Sequence, residues 1–179
     1  SIIYAMNKRR FIGKKEQLMY NFKKDMKYFK EKTINNTLVF GYRSFMEIGK
    51  PLPDREIIVI VNKDRGFTKI DGIHYVFSLD EAIEFYKNNP FGDLFICGGK
   101  TIYDQVFSKY MDKINFVYET LIDSLEYGDV SINRRMPNYF YIIKTEKESD
   151  LDRNSNKIYN LYFILLYIYY SIKYPIFIL

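Results

Sequence analysis

The stretch DLFICGGKTIYDQVF, residues 93–107, reads as a strand, a Gly-Gly turn and a helix. Two successive glycines let the backbone approach a ligand closely. A helix start adds free N–H groups and the positive end of a dipole, an arrangement that holds phosphate. Alone the pair is weak evidence, because many such turns only satisfy tight geometry. The chain has neither G-x-G-x-x-G nor G-x-x-x-x-G-K-[ST], so the common dinucleotide and P-loop readings lose ground. A second strand-to-helix turn follows TLVFG (37–41), with Arg43 and Ser44 at the helix start. A simple N-cap would explain it equally. Together the two turns would offer anion sites at strand C-termini, where α/β proteins bind ligands.

Working outward, the other segments support an α/β domain. SIIYAM (1–6) reads as a buried strand, residues 7–22 as a long loop, and 23–32 as a helix. In that helix Met26, Phe29, Phe22 and Lys30 are expected to share a face. GKPLPDR (49–55) is a turn-rich loop, and IIVIV (57–61) a β-branched central strand. IHYVF is a further strand, and Ser78 with Glu81 forms a capping box that opens the next helix. NFVYETLID, NYFYIIKTE and KIYNLYFILL read as strands, the last third alternating as an antiparallel edge does.

Composition bounds the function. The 179 residues are 47 % hydrophobic and 18 % aromatic, which suits one foldable domain. A formal net charge of +5 suits anionic ligands, but the lysines are scattered rather than clustered as a nucleic-acid footprint requires. The single cysteine, Cys97, fits a reducing compartment and reads as a small buried hydrophobe. The single histidine, His74, argues against a His-based metal site or triad and reads as structural. Charge arrives within ten residues, so no signal peptide is expected. The run LYFILLYIYYSI (161–172) carries no charge over twelve residues, short of the roughly 20 that span a bilayer. It reads as a final strand with an apolar tail.

Four blocks in order resemble the dihydrofolate reductase family. IGKKEQLMYNFKKDMKYFK is similar to its first loop and helix, and GYRSFMEIGKPLPDR to its G-R-x-T-(W/Y)-x-S-I-G-(R/K)-P-L-P-x-R segment. FICGGKTIYDQ resembles its I-G-G-x-x-(V/I)-Y motif, and YETLIDSLEYGD its Y-x-T-x-I…G-D motif. The resemblance implies a single-domain α/β fold, with a mostly parallel central sheet, an antiparallel C-terminal strand and about four flanking helices. It covers 1–165 and leaves 166–179 as an apolar extension that should pack on the body. It implies reduction of dihydrofolate by NADPH and assigns roles residue by residue. Asp25 matches the carboxylate that faces the pterin, and Thr120 the hydroxyl that holds it. Phe29 matches the aromatic on the benzoyl group and Arg55 the clamp on the glutamate tail, with Lys50 adding charge. Ile3 and Ala5 lie beside the pterin, and Tyr103 flanks the nicotinamide. Gly98, Gly99, Lys100, Thr101 and Ile102 would cradle the pyrophosphate across a cis Gly98–Gly99 bond. Arg43 and Ser44, after Gly41, would hold the adenosine phosphates, with Ala5, Ile12, Gly13, Asn62 and Lys63 completing the cofactor set.

Three departures stand out. The family's Pro-Trp pair is Met19-Tyr20, so Tyr20 is expected to replace in part the indole that orders a catalytic water. Tyr42 stands where a basic residue is usual, and Val61 where a serine often meets the 2′-phosphate. Rival readings are a pyrimidine reductase on the same fold, or a basic binding module without catalysis. The expectation is a cytoplasmic monomer with a small-molecule substrate and no metal, nucleic acid or stable membrane partner.

Overall fold

The computed structural model describes residues 1–15, 17–137 and 140–168. The chain opens with β1 (Ile2–Asn7), β2 (Phe11–Lys14), β3 (Gln17–Leu18), α1 (Lys23–Thr33), β4 (Asn36–Gly41) and α2 (Tyr42–Ile48). There follow β5 (Arg55–Ile60), β6 (His74–Val76), α3 (Leu79–Asn88), β7 (Leu94–Ile96) and α4 (Lys100–Gln105). A π-helical turn over Val106–Tyr110 extends α4. The last strands are β8 (Phe116–Ile122), β9 (Val130–Ser131), β10 (Phe140–Asp152) and β11 (Lys157–Ile168).

Eight strands form one sheet in the order β10-β11-β8-β1-β7-β4-β5-β6. The strands from β8 to β6 are parallel, and β11 joins β8 antiparallel, as β10 joins β11. The parallel strands are apolar on both faces because both faces are covered: Leu38, Val39, Ile57, Ile58 and Val59 are all buried. One face packs Ile2, Tyr4, Met6 and Val117 against Leu79 and Ala82 of α3 and Ile102 of α4. The other packs Ile3, Leu38 and Val59 against Phe45 of α2 and Phe29 of α1. A small sheet, β3-β2-β9, stands apart from the large one.

Local chemistry fixes the helix ends. Ser78 Oγ accepts the Glu81 N–H at 3.1 Å, and Glu81 Oε2 accepts the Phe77 N–H at 2.8 Å, which is the expected capping box displaced by one residue. Gly49 ends α2 in the left-handed region at φ 67°, donating its N–H to Phe45 O.

Several expectations need correction. Residues 7–22 are not one long loop: they contain the β2–β3 hairpin. IIVIV is not central but next to the edge strand β6. The inward face of α1 carries Asp25, Phe29 and Thr33 at spacings of four, and Met26 is 53 % exposed. Phe22 is buried, but as the residue before the helix rather than part of its face. His74 is exposed and pairs with Glu56 at 3.3 Å while lying on Phe85. The last strand continues through Ile168, so Leu166, Tyr167 and Ile168 pair within the sheet. The expected tail beyond that point lies outside the described residues.

Candidate active site

Strand register does the first part of the assembly. In the β1–β8 pair Ala5 lies opposite Thr120 and Tyr4 opposite Glu119. Paired residues point to the same face, so Ala5 and Thr120 face α1 while Tyr4 and Glu119 face α4. Asp25, in the first turn of α1, is half-buried above this pair and accepts the Thr120 hydroxyl. Burial pushes its carboxyl above the usual range. The Thr120 bond pulls it down, and the charge of Asp150 pushes it up again; the net shift is upward. A small cavity of about 30 Å³ opens beside Asp25, walled by Ala5, Phe11, Ile12, Leu18, Met19, Tyr20, Phe22 and Ile122.

The α1 N-terminus is fixed from the far end of the sequence. Asp152 Oδ1 accepts the Asn21 N–H and Asp150 Oδ2 the Lys24 N–H, both at 2.8 Å. Along the inward face, Phe29 packs on the Ile3–Leu38 cluster. At the last turn Arg55 donates to Thr33 Oγ1 at 3.4 Å and to Pro53 O at 3.0 Å. Asp25 and Thr33 are separated by about 12 Å along the helix axis. One face thus runs from a carboxylate, past an aromatic ring, to a guanidinium. Lys50 is exposed in the loop after α2.

The two glycine turns lie side by side at the C-terminal ends of β4 and β7. Gly41 N–H donates to Gly98 O at 2.6 Å. The Gly98–Gly99 bond is cis, as the resemblance implied. Gly98 has φ 111°, and a Cβ there would stand 2.9 Å from the Tyr103 ring. A Cβ on Gly99 would run into the Ser44 hydroxyl. Tyr103 is held by its hydroxyl, which donates to Ile3 O at 2.8 Å, so its ring bridges this turn and the strand beside Asp25. Ile102 is buried beneath the turn and Thr101 is exposed. Arg43 is exposed at the start of α2, and Asn62 and Lys63 follow the neighbouring β5. Asn62 Oδ1 accepts the Asp64 N–H, and the Lys63 ammonium lies 4.9 Å from the Phe77 ring.

Not every expected group faces the site. The Lys100 ammonium donates to Asp104 at 2.6 Å and to Ser131 O at 2.8 Å, on the β9 side. Tyr20 stacks on Phe22, and its hydroxyl accepts Asn7 Nδ2–H at 3.3 Å. Its ring lines the cavity while its polar tip is turned into a buried network. The Tyr42 hydroxyl accepts the Thr68 N–H, and Val61 is buried. Gly13 lies in β2, where a Cβ would crowd Val130 at 3.1 Å. Burial pushes the Cys97 thiol up, which leaves it inert. Sequence reading missed Asn7, fully buried, whose Oδ1 accepts the Arg9 and Phe11 N–H groups at 3.0 Å and shapes the cavity wall. It also missed Asp150 and Asp152, which carry no local signal. Among the described residues no cluster of His, Cys, Asp or Glu could hold a metal ion.

The family model for dihydrofolate reductase matches residues 1–166. The dihydrofolate reductase of Staphylococcus aureus is 33 % identical over 129 residues, 72 % of this chain and 74 % of the relative. That of Buchnera aphidicola subsp. Baizongia pistaciae is 30 % identical over 171 residues, 92 % of this chain and 96 % of the relative. A solved structure of the Enterococcus faecalis dihydrofolate reductase, complexed with NADP(H) and RAB-propyl, superposes with a TM-score of 0.76. It is 26 % identical and covers 93 % of this chain, which in turn covers 94 % of it. With these likenesses over nearly its full length, the chain belongs to the dihydrofolate reductase family.

Proposed function

We propose that the protein reduces 7,8-dihydrofolate to 5,6,7,8-tetrahydrofolate with NADPH, Asp25 being the group that holds the pterin and assists its protonation. The observation that carries this reading is a half-buried carboxylate, fixed by Thr120 at a cavity and aligned along one helix face with Phe29 and Arg55. Asp25 accepts hydrogen bonds from the pterin amino group and ring N–H, a planar match for a carboxylate. Its negative charge favours the form of the substrate protonated at the reacting nitrogen, directly or through a water. Thr120 fixes its orientation. Phe29 packs the benzoyl group, Ile3 lies beside the pterin, and Arg55, with Lys50, takes the tail carboxylate in a bidentate contact. Ala5 and the Tyr20 ring close the pterin end against water.

The residues at the glycine turns fit a dinucleotide, because the two turns lie side by side at the C-terminal ends of β4 and β7, where α/β sheets bind ligands. Tyr103 and Ser44 fill the places where a Cβ would stand at Gly98 and Gly99, so packing holds the turn in its glycine-only form. Gly41, Arg43, Ser44, Thr101 and Ile102 would hold the cofactor, with Asn62 and Lys63 near its adenosine end. NADPH supplies the hydride; the protein aligns the two rings and excludes water. The enzyme acts as a cytoplasmic monomer on this reading. No helix among the described residues is long and apolar enough to cross a membrane.

The direct test mixes protein, dihydrofolate and NADPH and follows the reduced-nicotinamide absorbance. Turnover is expected, with NADPH preferred at least about tenfold over NADH through charge-assisted contacts of Arg43 or Lys63. No turnover of dihydrofolate, with turnover of a pyrimidine substrate instead, would move the protein to the rival reductase activity.

A further inference from the structure

Among the described residues one ion pair has both partners largely buried, and it lies on the face of the sheet away from Asp25. Arg134 Nε donates to Glu119 Oε2 at 2.5 Å, and the Tyr4 hydroxyl donates to the same oxygen at 2.6 Å. Their side chains are 23 % and 5 % exposed. Taking two charges out of water is costly, so such a pair is weak evidence for stability and invites another explanation. The strap that Arg134 ends supplies one. Within it β9 pairs with β2, joining Ser131 to Phe11 and Val130 to Gly13, and Ile132 N–H donates to Arg10 O at 3.1 Å. β2 in turn provides Phe11 and Ile12 to the wall of the cavity at Asp25. From the other side α4 grips the strap: Lys100 donates to Ser131 O at 2.8 Å, and Asp104 Oδ1 accepts the Asn133 N–H at 2.7 Å. We propose that Arg134 is a positioning residue, whose pair with Glu119 pins residues 129–134 and so sets β2 against the substrate cavity. The catalytic consequence rests on the proposed reduction of dihydrofolate; the pinning does not.

Two readouts keep those apart. The double variant Glu119→Gln/Arg134→Met removes both charges and leaves neither buried alone, so it should fold with a melting temperature near wild type. Trypsin cleavage at Arg10, Lys14 and Lys15 should be about tenfold faster in it, because β2 opens locally more often. The KM for dihydrofolate should rise about tenfold, with a smaller change in NADPH affinity. Arg134→Lys keeps the charge without the planar fork, and should fall between wild type and the double variant in both measures. Wild-type cleavage of β2 in either folded variant would overturn the pinning, whatever the activity. Faster cleavage with an unchanged KM would overturn the positioning role. A wild-type enzyme that does not turn over dihydrofolate would refute the functional reading instead, and the cleavage rates would still decide whether the pin exists.

Discussion

Asp25 sits in the first turn of an eleven-residue helix, where free N–H groups favour an anion, yet its carboxyl is shifted upward. Burial outweighs the Thr120 hydrogen bond, and the Asp150 carboxylate adds to it. Such a group costs stability when it ionises. The folded form holds its proton more tightly than the unfolded chain, whose aspartates titrate near about 3.9. The cost is therefore absent below about pH 4 and grows as pH rises from there to the folded value. Asp25→Asn should melt higher than wild type at neutral pH, and thermal melts should converge in acid. Activity should move the other way. The variant keeps the shape and loses the charge that favours protonated substrate, so hydride transfer should fall by about 10²–10⁴-fold at neutral pH. Single-turnover rates should show that deficit shrinking as buffer protons take over; a pH-independent ratio would make Asp25 structural only. The carboxylate, Phe29 and Arg55 were legible in the sequence because the family blocks carry them. The Tyr20 hydroxyl, turned to Asn7, was not, since a lone asparagine ending a strand carries no pattern.

At the scale of elements, the strand–Gly-Gly–helix turn was readable because Gly98 takes φ 111°, a conformation that glycine adopts readily and other residues rarely do. Gly99 has Ser44 in the place of its missing Cβ. Gly99→Ala should therefore push the Ser44 hydroxyl aside and raise the NADPH dissociation constant about tenfold, the lower end of a strain cost of about 1–3 kcal/mol. Adding Ser44→Ala to Gly99→Ala removes the collision and should recover part of the affinity, as nicotinamide fluorescence titration would show. Helix α3 was equally legible, since a capping box is a local motif. Ser78→Ala should cost about 1 kcal/mol in urea unfolding and leave turnover unchanged, because α3 lies away from the site. The β2–β3 hairpin escaped notice for a physical reason. Its strands are too short to show alternation, and β2 finds its other partner in β9, far along the chain. The face of α1 was misjudged because apolar spacing favoured Met26, whereas the helix turns a carboxylate and Thr33 inward.

For the molecule as a whole, the decisive contacts join its two ends, which no local pattern can announce. The β10–β11 hairpin reaches back over 131 residues of chain to hold the segment that leads into α1. Asp152, 1 % exposed, is its anchor. Burial alone would raise its carboxyl. The Ser155 hydroxyl and the N–H groups of Asn21, Asn154 and Ser155 outweigh that and hold it below the usual range. Here the linkage has the opposite sign to that of Asp25. A depressed folded value means that ionised Asp152 stabilises the fold, fully above the unfolded value near about 3.9 and progressively less as pH falls through the folded one. Asp152→Asn keeps one acceptor, loses the charge and presents an N–H group to donors. It should cost about 1.5–3 kcal/mol at neutral pH, the range of a hydrogen bond to a charged group. The gap between variant and wild type should narrow as pH falls through that window, where wild type loses the same charge. Because Asn21 leads into α1, the loss should also loosen the Asp25 end of the helix, raising the KM for dihydrofolate while NADPH affinity stays near wild type. Unfolding curves and steady-state kinetics over that pH range would separate the two effects. A stability gap that is constant with pH would mean that Asp152 acts by its shape, and that its charge does not hold the ends of the molecule together.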